Sequence, residues 1–143
     1  MIDPRIVYRR FEKIKENLAM LSEAGDMPFE AFVSDPIRYY ATERALQVSA
    51  QAIIDICAHI VTETQAKMPN DYKDLPLALG KVGIISKDLA ERLSHLVSMR
   101  NILVHQYLDV DLSIVHRALR ENLGDFDEFA SCVTEYLERE GIT

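Results

Sequence analysis

Between Pro36 and Lys67 the sequence runs for about thirty residues without an internal glycine or proline. Ile37, Tyr40, Ala41, Ala45, Val48, Ala52, Ile56, Ile60 and Thr64 recur there at intervals of three and four. Successive helical residues turn by about 100°, so this spacing predicts one apolar face of an α-helix. Asp35 suits the N-cap, and Pro36 the first helical position, where no backbone N–H is needed. Helices in water draw most of their stability from packing. A helix this long therefore demands long partners and becomes the spine of a bundle.

The remaining segments supply partners. A first helix is predicted from Asp3 to Ala24, with Asp3 as cap, Pro4 as first residue and Gly25 as the stop. Asp26 to Pro36 reads as a loop with one helical turn around Phe29 to Val33. After a loop from Pro69 to Pro76, Leu77 to Val82 makes a short helix closed by Gly83. Ser86 caps a helix that runs to about Gln106, and helical periodicity fails from Tyr107 to Asp111. Asp111 caps the next helix, Gly124 bends the chain, and Phe126, Phe129, Val133 and Leu137 line a last helix. Nothing alternates with period two. The expected fold is all-α: one domain over residues 1–143, an up-and-down bundle of four to five helices with the first two long helices antiparallel.

Composition narrows the partners. The formal net charge is −7, whereas a protein that coats a duplex is basic because phosphate contacts dominate that affinity. Broad DNA binding is excluded, and a local basic cleft is not. Arg9, Arg10, Lys13 and Lys15 read as a solvated face rather than an RNA track. Cys57 and Cys132 lie in apolar periodic stretches and read as small buried hydrophobes. Without a Cys-x-x-Cys pair or a disulfide framework, a reducing compartment is expected. No uninterrupted apolar run reaches the roughly 18 residues that span a bilayer. The opening MIDPRIVYRRFEKIKE has no apolar h-region. The expectation is a cytoplasmic protein without a membrane segment.

The chemistry concentrates in Met99 to Asp111, MRNILVHQYLDVD. Histidine moves protons near neutral pH, and arginine offers a fixed fork to phosphate charge. Asn101 and His105 are four apart and share a helix face. Arg100 and Tyr107 are seven apart and share another if the helix continues. Arg100 and His105 lie about 140° apart around the axis. One copy therefore cannot clamp a phosphate between them, whereas two copies across a two-fold axis can. Asn101 can orient the imidazole or donate to an oxyanion. Asp109 and Asp111 read as turn and cap residues, and no metal-ligand set is evident. Spacing alone favours a solvated arginine and a partly buried histidine, because Arg-x4-His arises by chance in many helices.

With its context, RNILVHQY resembles the Arg-x4-His-x-Tyr signature of the HEPN superfamily in its HepT branch. The long-helix segment YYATERALQVSAQAIIDICAHI is also similar to that family, and the resemblance covers about Asp3 to Glu138. It implies a HEPN-like helical homodimer in which the motifs of two subunits line one cleft. It implies metal-independent cleavage of single-stranded RNA by Arg100 and His105, with no cofactor. It also implies a partner, a minimal MntA-like nucleotidyltransferase antitoxin that transfers AMP to Tyr107 and silences the toxin. The chain has no nucleotidyltransferase signature of its own.

Two functional readings stay open. One is a ribonuclease toxin, which the intact Arg100, His105 and Tyr107 favour. The other is a non-catalytic HEPN dimer that serves as scaffold and substrate of a nucleotidyltransferase, which the acidic balance favours. Asp55 and His59, four apart on the long helix, are candidates for a supporting carboxylate–histidine pair or a satisfied core pair. Tyr39, Tyr40, Glu43 and Arg44 face either a partner or solvent. His95 and His116 read as structural or exposed.

Overall fold

The computed structural model describes residues 1–64 and 66–142. Seven α-helices follow one another among them: α1 (Pro4–Asp26), α2 (Phe29–Val33), α3 (Pro36–Glu63), α4 (Asp74–Lys81), α5 (Lys87–His105), α6 (Leu112–Glu121) and α7 (Gly124–Arg139). A 3-10 turn, Tyr107–Asp109, joins α5 to α6, and no strand occurs among the described residues. The helix count exceeds the expected four to five because α2 and α4 are short insertions between long elements.

The caps are built from the expected residues. The carboxylates of Asp3, Asp35 and Asp111 accept from the backbone N–H groups of Arg5, Arg38 and Ser113, and Ser86 Oγ accepts from Leu89. Hydrogen bonds from Ser113 hold the Asp111 carboxyl below the usual carboxylate range. The helix α3 ends at Glu63, four residues before Lys67; Gln65 lies outside the described residues. The helix α4 begins at Asp74 rather than Leu77, because Pro76 fits within its first turn, where its N–H is not required.

The helices α1 and α3 are antiparallel. Asp3 N donates to His59 Nε2 (2.8 Å), Arg10 Nε to Asp55 (3.4 Å) and Asn17 Nδ2 to Ser49 Oγ (3.2 Å), so one helix ascends as the other descends. Around α3 stand α1, α2, α4 and α5, with α6 and α7 closing against α1 and α5. Phe32, Phe126, Phe129, Leu21, Ile53 and Leu89 are among the largest fully buried side chains. Burying a side chain of this size stabilises by about 1.5–3 kcal/mol. An 18-residue window of α3 has a mean hydropathy of 1.4, enough to cross a membrane, yet 61% of that window is buried inside the protein. Averaging over a window hides the interspersed polar residues that interrupt every apolar run.

Cys57 is buried and its thiol is pushed up by loss of water; Cys132 is half-buried, and both are free. His116 is buried between Phe29 (5.6 Å) and Phe32 (5.4 Å), and its Nε2 donates to Met27 O at 2.8 Å. Asp125 is buried at the start of α7, and burial pushes its carboxyl up while Arg92 opposes this.

Gly25 does not stop α1, which continues to Asp26. It lies buried against α6, where a Cβ would sit 2.8 Å from Leu119 O. The absence of a side chain therefore permits close helix approach rather than a left-handed cap. Overpacking costs about 1–3 kcal/mol, against a helix-propensity gain of up to about 1 kcal/mol. Gly25→Ala is expected to lower the urea midpoint. Gly124→Ala, with open space around it, should leave the midpoint unchanged or raise it. Equal midpoints for the two variants would contradict this account of Gly25.

Candidate active site

The helix α5 packs Leu89, Leu93, Leu96, Val97 and Leu103 into the core, which leaves its C-terminal turn to carry the polar motif. Its last backbone bond runs from Gln106 N to Ile102 O (2.9 Å). Gln106 then leaves helical geometry at φ −128° and ψ 44°, and Asp109 N bonds Gln106 O in the 3-10 turn. The helix thus stops at His105, with Gln106 as its C-cap, and Tyr107 does not extend the face of Arg100.

Arg100 is half-buried and fixed from two sides. Its guanidinium carbon stands 5.6 Å from the ring centroid of Tyr72, which arrives from the connection between α3 and α4. Its Nη1 donates to Asn101 Oδ1 at 3.0 Å. Asn101 therefore engages the arginine, not the imidazole that sequence spacing offered it. Arg100 Nε is buried and has no partner among the described residues.

Two clefts adjoin across the Arg100–Tyr72 contact. The first, about 520 Å³, is walled by α1 and α3 and ends at Arg100. The second, about 550 Å³, is lined by Tyr72, Lys73, Ser98, Asn101 and His105 among others. Arg100 and His105 thus open onto neighbouring clefts, as their 140° offset requires. Tyr107 is 71% exposed on the turn beyond, which rules out a core tyrosine, but it lies in the wall of neither cleft. No group of three or more His, Cys, Asp or Glu able to hold a metal occurs among the described residues.

Asp55 and His59 do not form the supporting pair that spacing allowed. Asp55 accepts from Gln51 Nε2 (2.9 Å) and Arg10 Nε (3.4 Å), while His59 accepts the backbone N–H of Asp3. Each side chain meets α1 before it meets its neighbour one turn away. The basic residues of α1 are more than a solvated face. Arg9, Arg10 and Lys13 wall the first cleft with Arg44 and Arg100, and Lys15 does not join them. Arg10 had a visible signal, since it interrupts the apolar stripe of α1. Tyr72, in an irregular connection, had none.

The family described as Ribonuclease HepT-like matches residues 14–133. The chain belongs to this family. A tRNA nuclease HepT from Aphanizomenon flos-aquae is 29% identical over 95% of this chain and 92% of its own length. An mRNA nuclease HepT from Shewanella oneidensis is 33% identical over 62% of this chain and 66% of its own. Among solved structures, a tri-AMPylated HEPN toxin from Shewanella oneidensis in complex with MNT antitoxin superposes with a TM-score of 0.82. It is 27% identical, covering 91% of this chain and 97% of that one. The HEPN-like helical fold and the HepT relationship read from the motif therefore hold.

Stacking against Tyr72 is the contact that orients Arg100 from outside its own helix. An exposed cation–π contact contributes about 0.5–1 kcal/mol. Tyr72→Ala is expected to lower the kcat of RNA cleavage by about two- to five-fold, with Tyr72→Phe close to the parent. A Tyr72→Ala protein as active as the parent would remove the ring from this role.

Proposed function

We propose that this chain is the ribonuclease toxin of a toxin–antitoxin pair, a cytoplasmic homodimer that cleaves single-stranded RNA without a metal. The observation that carries the reading is the fixed Arg100 guanidinium beside a cleft onto which His105 opens. Exposed Ile102 and Leu108 at the end of α5 support a second copy packing there. In such a dimer two imidazoles meet one substrate. A neutral one takes the proton from the ribose 2′-hydroxyl, whose oxygen bonds the adjacent phosphorus. The bond from phosphorus to the 5′-oxygen breaks, and a protonated imidazole supplies the proton that oxygen needs. Arg100 stabilises the charge that builds on the phosphoryl oxygens. Asn101 serves by holding Arg100.

A nucleotidyltransferase antitoxin is the proposed partner, and Tyr107 its target. The tri-AMPylated relative supports this, as does the exposed position of Tyr107 two residues past His105. An added AMP brings a phosphate charge and the bulk of a nucleotide to the turn that directly follows His105. The second reading, a scaffold that does not cut, draws on the net charge of −7. Cleavage assays separate the two.

The purified protein should cut RNA in the presence of EDTA and leave a 2′,3′-cyclic phosphate. His105→Ala should reduce the rate by about 10²–10⁴-fold, the usual worth of a general acid–base group. Activity abolished by EDTA and restored by magnesium would sink the mechanism. Undiminished cleavage by His105→Ala would remove His105 from it.

Co-expression with the cognate nucleotidyltransferase should add AMP to the peptide containing Tyr107. Mass spectrometry should find that adduct absent in Tyr107→Phe. An adduct that persists in the phenylalanine variant assigns the modification to another residue.

A further inference from the structure

Five of the chain's sixteen lysines and arginines wall the first cleft, against one of its twenty-three acidic residues. In a chain of net charge −7 such a cluster is not a sample of the general surface. We propose that this cleft between α1 and α3 is the track for the RNA strand, holding backbone phosphates that lead to the scissile one at Arg100. The proposal rests on the ribonuclease reading and adds the surface that holds the substrate.

The geometry suits an extended polyanion. Arg9 and Lys13 are one turn apart on α1, and Arg44, Gln47, Gln51 and Asp55 follow one face of α3. From Arg44 to Asp55 the cleft runs about 16 Å along the helix, at 1.5 Å per residue. Four of the five cations are arginines, whose planar forks match phosphate oxygens. Arg10 is already held by Asp55, which Gln51 supports in turn. Lys13 meets the exposed Glu16 at 3.1 Å, and no ion pair among the described residues involves Arg9 or Arg44, so both guanidiniums are available to a phosphate.

Two buried polar atoms without a partner belong to the same walls, Gln51 Oε1 and Arg100 Nε. An unmet acceptor and an unmet donor are costly while the cleft is empty. A ribose hydroxyl of a strand in the cleft can supply the donor that Gln51 Oε1 lacks, and a phosphate oxygen the acceptor that Arg100 Nε lacks. Arg100 in this wall stacks on Tyr72 in the wall of the His105 cleft, which brings the track up to the motif. That adjacency favours RNA over an acidic protein segment as the occupant.

The test uses fluorescence anisotropy of a fluorescein-labelled single-stranded RNA with full-length protein carrying His105→Ala, to prevent cutting. Arg9→Gln, Lys13→Gln and Arg44→Gln are combined on that background. All three side chains are exposed, so an unchanged thermal melt by circular dichroism is expected. Each phosphate contact to a single strand contributes about 0.7 to the slope of log K against log salt. The combined variant should flatten that slope by about 2 and weaken binding at least tenfold at low salt. On the cutting background the loss should fall on KM rather than kcat.

Unchanged affinity and slope, with a parent that cuts RNA, would overturn the track and leave the ribonuclease reading standing. Retained RNA binding with lost binding of a labelled polyglutamate peptide would assign the cleft to an acidic partner, again overturning the track. A parent that neither binds nor cuts RNA would overturn the ribonuclease reading, and the track with it.

Discussion

Everything in this bundle is arranged around the need to cover α3. Twelve of its residues are buried, from Thr42 to Val61, and they point in several directions around the axis. No single partner can cover such a helix, so α1, α2, α4 and α5 each take a sector. The partition depends on side-chain size. Small residues such as Ala45, Ser49 and Ala52 occur among the larger Ile53, Ile56 and Ile60. Truncating one of the larger residues to alanine costs about 2–5 kcal/mol, because the surrounding helices relax only partly. The same demand explains the two short helices. Phe32 of α2 is fully buried, and Leu75 and Leu79 of α4 are buried where α4 lies against α3 and α5.

Helix beginnings were legible in the sequence because capping is local chemistry. Asp3, Asp35, Ser86 and Asp111 each satisfy a backbone N–H within three residues, whatever the rest of the chain does. What required tertiary structure was not legible. Glycine announces only a missing Cβ, and a helix stop and a close approach use that absence in the same way. Gly25 is the second case, and only the position of Leu119 decides it. Likewise Asp55 and His59 are well spaced for one another, but α1 offers each a partner first. The Arg100–His105–Tyr107 motif was readable from the resemblance, whereas Tyr72 and the cationic cleft arise from segments distant in sequence.

The charge distribution follows from the same packing. Acidic residues crowd α7, with Asp125, Asp127, Glu128, Glu135 and Glu138 in one helix. Arg92 of α5 ties the start of that helix by meeting Asp125 and Glu128, with Asp88 on its other side. Interactions between exposed charges fade over about 8–10 Å at moderate salt. Net charge therefore says little about the field in a cleft walled by five cations. The relevant scale is the neighbourhood of a few side chains, which depends on how α1 and α3 face each other.

The end of α5 shows why an arginine and a histidine five residues apart make sense at a helix terminus. Residues four apart would sit on one face and share one cleft. Five apart, they address two clefts, with the Arg100–Tyr72 stack between them. Had the helix continued another turn, Tyr107 would fall on the Arg100 side, seven residues on. Gln106 instead abandons helical geometry, and Asp111 reopens a helix four residues after Tyr107. The chain between them is too short to fold back into the core, so Tyr107 and Leu108 are left at 71% and 85% exposure. The break therefore does two things at once: it ends the helix where His105 can reach solvent, and it lifts an aromatic hydroxyl away from the body of the bundle.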